Sequence, residues 1–134
     1  MQYLKRFVGL WLVLSFAVIS ASEKSVYFIA PIDGAKLTSP ITIKFGLKGM
    51  GVAPAGVDRP NTGHHHLLIN LTELPDMTSS LPATDNIKHF GGGQTETTLE
   101  LPKGTHTLQL LLGDYAHVPH KVPVMSEKIT ITIE

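Results

Sequence analysis

Apolar and polar residues alternate with a period of two along most of the chain, and no stretch shows a convincing helical face. The segment "ITIKFGLKG" is the clearest case, with Ile41, Ile43 and Phe45 on one side and threonine and lysine on the other. Such alternation is typical of strands with one buried face. We predict strands at 25–31, 41–49, 64–71, 94–102, 105–114 and 126–134.

Glycine, proline and aspartate separate these strands, and the segment 71–90 has room for one or two short edge strands. This pattern predicts an all-β fold, an antiparallel immunoglobulin-like β-sandwich of about seven strands. A small β-barrel is the alternative. The Cys…Trp…Cys pattern of true immunoglobulin domains is absent, because the chain has no cysteine and its one tryptophan is Trp11.

The first 22 residues have the layout of a secretory signal peptide. Lys5 and Arg6 precede an uncharged apolar run from Phe7 to Ile19, and small residues follow it. The run is short for a membrane span, which needs about 20 residues. We therefore expect cleavage after Ala21 or Ser22, a β-sandwich domain over 23–134, and no stable membrane span after cleavage. An uncleaved N-terminal anchor is the alternative.

Charge and cysteine content narrow the class of partner. Without Lys5 and Arg6, 9 of the 11 Lys and Arg residues remain against 11 Asp and Glu, a net charge of about −2. This balance argues against nucleic acid, which requires a basic face. Exported small domains often depend on disulfides, but this chain has no cysteine. It must be stabilised by its core alone and has no thiolate ligand or nucleophile.

The histidines are the candidate chemistry. If consecutive strands run antiparallel, the loop 48–63 and the loop 113–125 lie at the same end of the domain, and so does the segment before strand 94–102. Six of the seven histidines then gather at that end, and His106 lies at the other.

His64 and His66 share one face of their strand about 6.6 Å apart, so both rings can converge on one ion. His117 and His120 lie in a loop that can turn inward, and His89 is a further candidate ligand. Imidazole donors without thiolate favour Cu or Zn over Ca²⁺ or Mg²⁺. The sequence thus predicts a Cu or Zn site made by His64, His66, His89, His117 and His120.

Two neighbouring residues have other predicted roles. Asp114 is placed to accept a hydrogen bond and orient one imidazole. His65 points to the opposite face with Leu67 and Ile69, so we expect a buried, hydrogen-bonded structural histidine. An alternative remains open, in which the histidines only brace the long loops by hydrogen bonds.

Four sequence blocks resemble an uncharacterised family of exported bacterial immunoglobulin-like domains. They are "VYFIAPIDGAKLTSPITIKFGLKGMGVAPAG", "NTGHHHLLIN", "HFGGGQTETTLELPKGTHTLQLLLGD" and "HVPH…SEKITI". The resemblance covers roughly residues 26–133 and implies a bacterial, periplasmic, stand-alone domain, with no activity to carry over. The shared blocks fall on the histidines, on Gly91, Gly92, Gly93, Gln94 and Glu96, and on Asp114.

Together these features indicate a periplasmic histidine-rich binding domain that holds a Cu or Zn ion at one end of a β-sandwich. A non-catalytic envelope module that recognises a protein or glycan is the second hypothesis. Catalysis is less favoured, because Asp114 and Glu96 are the only candidate general bases near the cluster.

Overall fold

Nine strands and no helix occupy residues 22–134, the part of the chain that this computed structural model describes. The strands are β1 (Ser25–Ala30), β2 (Lys36–Leu37), β3 (Ile41–Lys48), β4 (Gly51–Val52), β5 (Thr62–Ile69), β6 (Ile87–His89), β7 (Glu96–Leu99), β8 (Gly104–Gly113) and β9 (Ile129–Ile133). The predicted all-β fold is confirmed. The predicted signal peptide lies outside the described residues apart from Ser22, and within 22–134 no helix is long and apolar enough to cross a membrane.

The strands form a smaller and a larger sheet. The smaller sheet has the order β1-β3-β7, and the larger has the order β2-β9-β8-β5-β4, with β6 also paired to β5. In the larger sheet β5 runs antiparallel to β8, with His64 opposite Gly113 and His66 opposite Leu111. The antiparallel strand β6 places His89 opposite His66 on the other edge of β5. The larger sheet therefore brings two predicted ligands into adjacent positions.

The predicted antiparallel arrangement needs a correction, because the larger sheet is mixed. The two-residue strands β2 and β4 pair in parallel with β9 and β5. A parallel pair cannot be made by a tight hairpin. Between β4 and β5 the residues 53–61 return the chain to the starting end, and β2 and β9 are distant in sequence and free of any hairpin constraint. A two-residue strand is too short to show alternation, so the sequence pattern cannot predict these parallel pairs.

Alternation along the long strands explains the main core. Ile41, Ile43 and Phe45 of β3 are buried, and so are the three isoleucines of β9, while the threonines between them are exposed or half-buried. Side chains from both sheets meet in one cluster. Its members in the larger sheet include Leu67 and Leu110, which are paired across β5 and β8. We call this side of the larger sheet its inner face.

The outer face of the larger sheet is also covered. Leu68, Leu81, Ile87 and Leu111 form a second buried group there, which we call the outer cluster. Ile87 belongs to this face through β6, and Leu81 comes from the earlier part of the segment 71–90, which packs over the face. Every residue of β5 from Gly63 to Ile69 is therefore buried, on both faces. Three consecutive histidines consequently lie in a strand that has no solvent-facing side.

Truncating the centre of the main core tests this arrangement. Leu110 is 0% exposed, and Leu110→Ala should lower the free energy of unfolding by about 2–5 kcal/mol, because it removes buried methyl groups and leaves a cavity. The control Val122→Ala changes a side chain that is 81% exposed and should stay within about 0.5 kcal/mol. Urea unfolding measures both, and equal stability of the two variants would contradict the burial of β8.

Candidate metal centre

Strand β5 presents two imidazoles to the outer face of the larger sheet. His64 and His66 are both 0% exposed, and their ring centroids lie 4.6 Å apart. The spacing of two residues puts both rings on one face, and the segment 71–90 separates that face from solvent. The two donors are thus fixed by regular strand geometry and by the packing above them.

The third imidazole comes from the turn after β8. One carboxylate oxygen of Asp114, Oδ1, accepts the backbone N–H groups of Ala116 and Val118 at 2.8 and 3.0 Å. The N–H of His117 donates to the carbonyl of Asp114 at 3.0 Å. These bonds hold His117 at a φ of 63°, a left-handed conformation that is uncommon for a residue with a Cβ and that clusters at functional sites. The structure therefore places Asp114 on the backbone of the turn that presents His117.

Three ring nitrogens converge at this point. His117 Nδ1 lies 3.0 Å from His64 Nε2 and 3.2 Å from His66 Nε2. All three nitrogens lie within 4.8 Å of one another. A ring nitrogen carries either one proton or one lone pair, so His117 Nδ1 cannot make a full hydrogen bond to both partners. Hydrogen bonding alone does not explain this convergence.

The same spacing suits a metal ion. Ligand nitrogens about 2.0–2.1 Å from a tetrahedral zinc are roughly 3.3 Å apart, close to the two short separations observed here. An ion at this point would contact Nε2 of His64 and of His66, and not their Nδ1 atoms, which are buried and have no hydrogen-bond partner among the described residues. The cluster of His64, His66 and His117 could therefore hold a metal ion, and its donors are all imidazole.

Burial keeps the two strand histidines neutral. Burial, together with the neighbouring imidazoles, lowers the pKa of His66 to about 3. Burial and the nearby His117 lower the pKa of His64 to about 4, although the carboxylate of Asp114 opposes this shift. A metal ion binds the neutral imidazole, so both rings are in the ligating form at neutral pH.

His89 flanks the three-nitrogen cluster without joining it. Its ring centroid lies 4.5 Å from that of His66 and 4.7 Å from that of His117. Its Nε2–H donates to the carbonyl of Pro82 at 3.1 Å, which leaves the lone pair on Nδ1. His89 thus forms a half-buried wall of the site.

The structure separates His120 from the cluster. A Cβ added to Gly63 would point to the inner face of β5, and it would lie 2.9 Å from His120 Nε2. His117 contacts the rings on the outer face of the same strand. The two loop histidines therefore lie on opposite sides of β5.

The other two histidines have separate environments. The ring of His65 faces the main core, 5.1 Å from the ring of Phe45, and burial lowers its pKa. It is buried as predicted, but neither of its ring nitrogens has the expected hydrogen-bond partner among the described residues. His106 lies at the far end of β8, where its Nε2–H donates to Pro102 and its Nδ1 accepts from Asn70.

Gly113 is a site residue that sequence reasoning missed. A Cβ at this position would lie 2.5 Å from His66 Cε1 and 3.1 Å from His66 Nδ1, so only glycine leaves room for the ring. A glycine that ends a long apolar strand is the available signal, because such a glycine often marks a close approach.

A family model described as "Domain of unknown function (DUF4399)" matches residues 43–134. The chain belongs to this family. The prediction of an uncharacterised domain family is thereby confirmed, and the matched range of this DUF4399 protein contains all seven histidines.

Comparison with other proteins adds little. No curated protein sequence matches the DUF4399 chain. The X-ray structure of the endo-beta-1,4-mannanase from Thermotoga petrophila is similar over 84% of the chain, with 17% identity and a TM-score of 0.48. The chain spans 20% of the mannanase chain. A TM-score of this size does not establish a shared fold.

The close approach at Gly113 leads to a stability prediction. Gly113→Ala should lower the free energy of unfolding by about 1–3 kcal/mol, because the new methyl group must displace the buried His66 ring. The matched control is Gly51→Ala, whose Cβ would lie 3.4 Å from Thr62 Cγ2, an ordinary contact. Denaturant unfolding measures both variants, and a Gly113→Ala protein as stable as the control would show that the ring does not occupy this space.

Stability of the metal-free protein should depend on pH in a defined direction. Unfolded imidazoles titrate near 6.5, whereas burial lowers the pKa of His64 to about 4 and that of His66 to about 3. Between these values the unfolded chain binds protons that the folded chain does not. The free energy of unfolding should therefore keep its full value above about pH 6.5. As the pH is lowered from there, it should decrease by about 1.4 kcal/mol per pH unit for each histidine.

Urea unfolding in a chelator at pH 7.5, 6 and 5 measures this dependence. A His64→Ala/His66→Ala variant should show a shallower slope, because the two most strongly shifted groups are gone. Identical stability of the unmodified protein at the three pH values would contradict the burial of neutral imidazoles.

Proposed function

We propose that this DUF4399 protein is a metal-binding domain that holds one Cu or Zn ion through His64, His66 and His117. The observation that carries the proposal is the approach of two Nε2 atoms to a single Nδ1, at 3.0 and 3.2 Å, in a buried position. Imidazole nitrogens suit copper and zinc. The ion would satisfy nitrogens that protein hydrogen bonds leave incompletely paired.

Neighbouring residues have supporting roles in this proposal. Asp114 acts through the backbone, because its hydrogen bonds fix the turn that carries His117. His89 is a further candidate ligand through its Nδ1, after its ring turns toward the cluster. His120 lies on the inner side of β5, so its inclusion would require the turn after β8 to rearrange.

The proposal places the domain in the bacterial periplasm, after removal of residues 1–22. The basic start, the apolar run and the small residues after it support export. We also propose an immunoglobulin-like sandwich for residues 23–134, supported by two sheets whose inner side chains share one buried cluster. An envelope protein or a glycan would then be the available macromolecular partner.

The alternative is an envelope interaction module in which the histidines only brace the loops. Two contacts favour it: His89 bonds the carbonyl of Pro82, and the N–H of Leu81 donates to the carbonyl of His117 at 2.9 Å. Bracing does not account for Nε2 of His64 and of His66, which both approach the single Nδ1 of His117, at 3.0 and 3.2 Å. One ring nitrogen cannot pair fully with both of them, so these two rings favour metal binding.

A catalytic role has weaker support. Of the two candidate general bases, Asp114 accepts two backbone N–H groups in its turn. Glu96 is exposed on β7 of the smaller sheet. Neither arrangement resembles a base that is held against a metal-bound substrate.

Calorimetric titration of the purified protein with Zn²⁺ and Cu²⁺ tests the proposal. We expect one ion per chain and a dissociation constant in the micromolar range or below. His117→Ala and His64→Ala/His66→Ala should each weaken binding at least about 100-fold, because each removes a coordinate bond.

Two controls make the result specific. His106→Ala removes a buried histidine at the far end of β8, and His120→Ala removes the loop histidine on the inner side of β5. Both should bind within about threefold of the unmodified protein, well under a change of 1.4 kcal/mol. Tight binding that survives in the His64→Ala/His66→Ala variant would exclude this site.

A further inference from the structure

The three converging donors bring no negative charge to the site. His64 and His66 are neutral imidazoles buried at 0% exposure, and His117 completes the set. The carboxylate beside the cluster is Asp114, which accepts two backbone N–H groups in the turn that carries His117 and opposes the lowering of the pKa of His64. The neighbouring titratable ring is His89. One carboxylate near three neutral donors balances a single positive charge.

Ion charge matters strongly in this surrounding. The outer cluster packs on the same face as the donors, because Leu68 follows His66 at a spacing of two and Leu111 pairs with His66. The Born cost of moving an ion from water into an apolar medium grows with the square of its charge. A divalent ion therefore costs about four times as much to desolvate as a monovalent ion of similar size. Anionic ligands normally offset that cost, and none of these three donors is anionic.

The number of protein donors points the same way. In this conformation Nε2 of His89 bonds Pro82 and His120 faces the inner side of β5, so the described residues bring three ring nitrogens together. Zinc takes four protein ligands in structural sites, or three with water or substrate in the fourth position, and two of the three donors here are 0% exposed. The cuprous ion, a closed-shell monovalent cation, is satisfied by two or three.

Soft donors lie on the same face of the sheet. Met77 and Met125 pack against the outer cluster, and Met125 forms a bridge with Leu111, the residue opposite His66. Thioether sulfur selects Cu⁺.

From these observations we infer that the metal centre is a cuprous site, in which His64, His66 and His117 bind Cu⁺ in preference to Zn²⁺ and Cu²⁺. This inference rests on the proposed function, because it names the ion for the same three donors. If these three histidines bind no metal ion, the cuprous assignment fails together with the proposed function. If they bind a different ion, only the cuprous assignment fails.

Anaerobic titrations of the purified protein separate the two ideas. Cu⁺ is titrated against bicinchoninate as a competing chelator, and Zn²⁺ and Cu²⁺ are each titrated against a chromophoric indicator, in the same buffer. We expect one Cu⁺ per chain, bound at least about 100-fold more tightly than Zn²⁺, a difference of about 2.7 kcal/mol. X-ray absorption of the copper-loaded protein should show three nitrogen neighbours.

The outcomes are distinct. Zn²⁺ or Cu²⁺ bound as tightly as Cu⁺, with loss in the His64→Ala/His66→Ala variant, would overturn the cuprous assignment and keep the metal site. No binding of any of the three ions would overturn both. Tight Cu⁺ binding that survives in that variant would place the copper elsewhere and overturn both assignments for these donors.

Asp114→Asn tests the charge balance without relying on loss of a ligand. Asparagine keeps an oxygen that can accept the N–H groups of Ala116 and Val118, but it removes the negative charge. Because Coulomb energy scales with ion charge, a loss of about fivefold for Cu⁺ predicts a loss of about 25-fold for Zn²⁺. Equal losses, or none, would overturn the charge balance on which the preference for Cu⁺ rests.

Discussion

Burial of β5 on both faces is the constraint on which the rest of the structure depends. The smaller sheet covers its inner face and the segment 71–90 covers its outer face, so His64, His65 and His66 are removed from water together. A buried imidazole is costly when charged and costly when unpaired. His65 packs its ring against that of Phe45, whereas the Nε2 atoms of His64 and His66 require a partner on the outer face.

The turn after β8 supplies that partner on the outer face. Asp114 uses one carboxylate oxygen to tie two backbone N–H groups, and this ordering holds His117 in a left-handed conformation. The carbonyl of His117 accepts the N–H of Leu81, so the same residue links the turn to the segment that covers the sheet. The hydrogen bonds that position the ring of His117 and the hydrogen bond that ties the segment 71–90 to this turn therefore belong to one network.

This construction gives a preorganised donor set. Two donors stand on a strand whose register is fixed by β8, and Gly113 leaves the space that the ring of His66 requires. Supporting residues of this kind determine how well a site holds its geometry. The apolar surroundings also mean that the charge of any ion bound there would matter as much as its ligand preference.

The sequence by itself determined the long strands and the shared face of His64 and His66. Period-two alternation marks β3 and β9, and the strand period of two separates His65 from its neighbours in β5. It also indicated that the histidines of three separate segments could meet. These features are local, because the side-chain direction in a strand follows from the backbone alone.

Only the tertiary structure decided which loop histidine meets the strand pair. His117 and His120 are three residues apart in an irregular turn, and they end on opposite sides of β5. A turn has no period, and its course here depends on the hydrogen bonds of Asp114 and on the packing of the segment 71–90. The parallel pairing of β2 and of β4 could not be predicted from the sequence for the same reason. A two-residue strand is too short to show alternation, and contacts between residues distant in sequence select its partner.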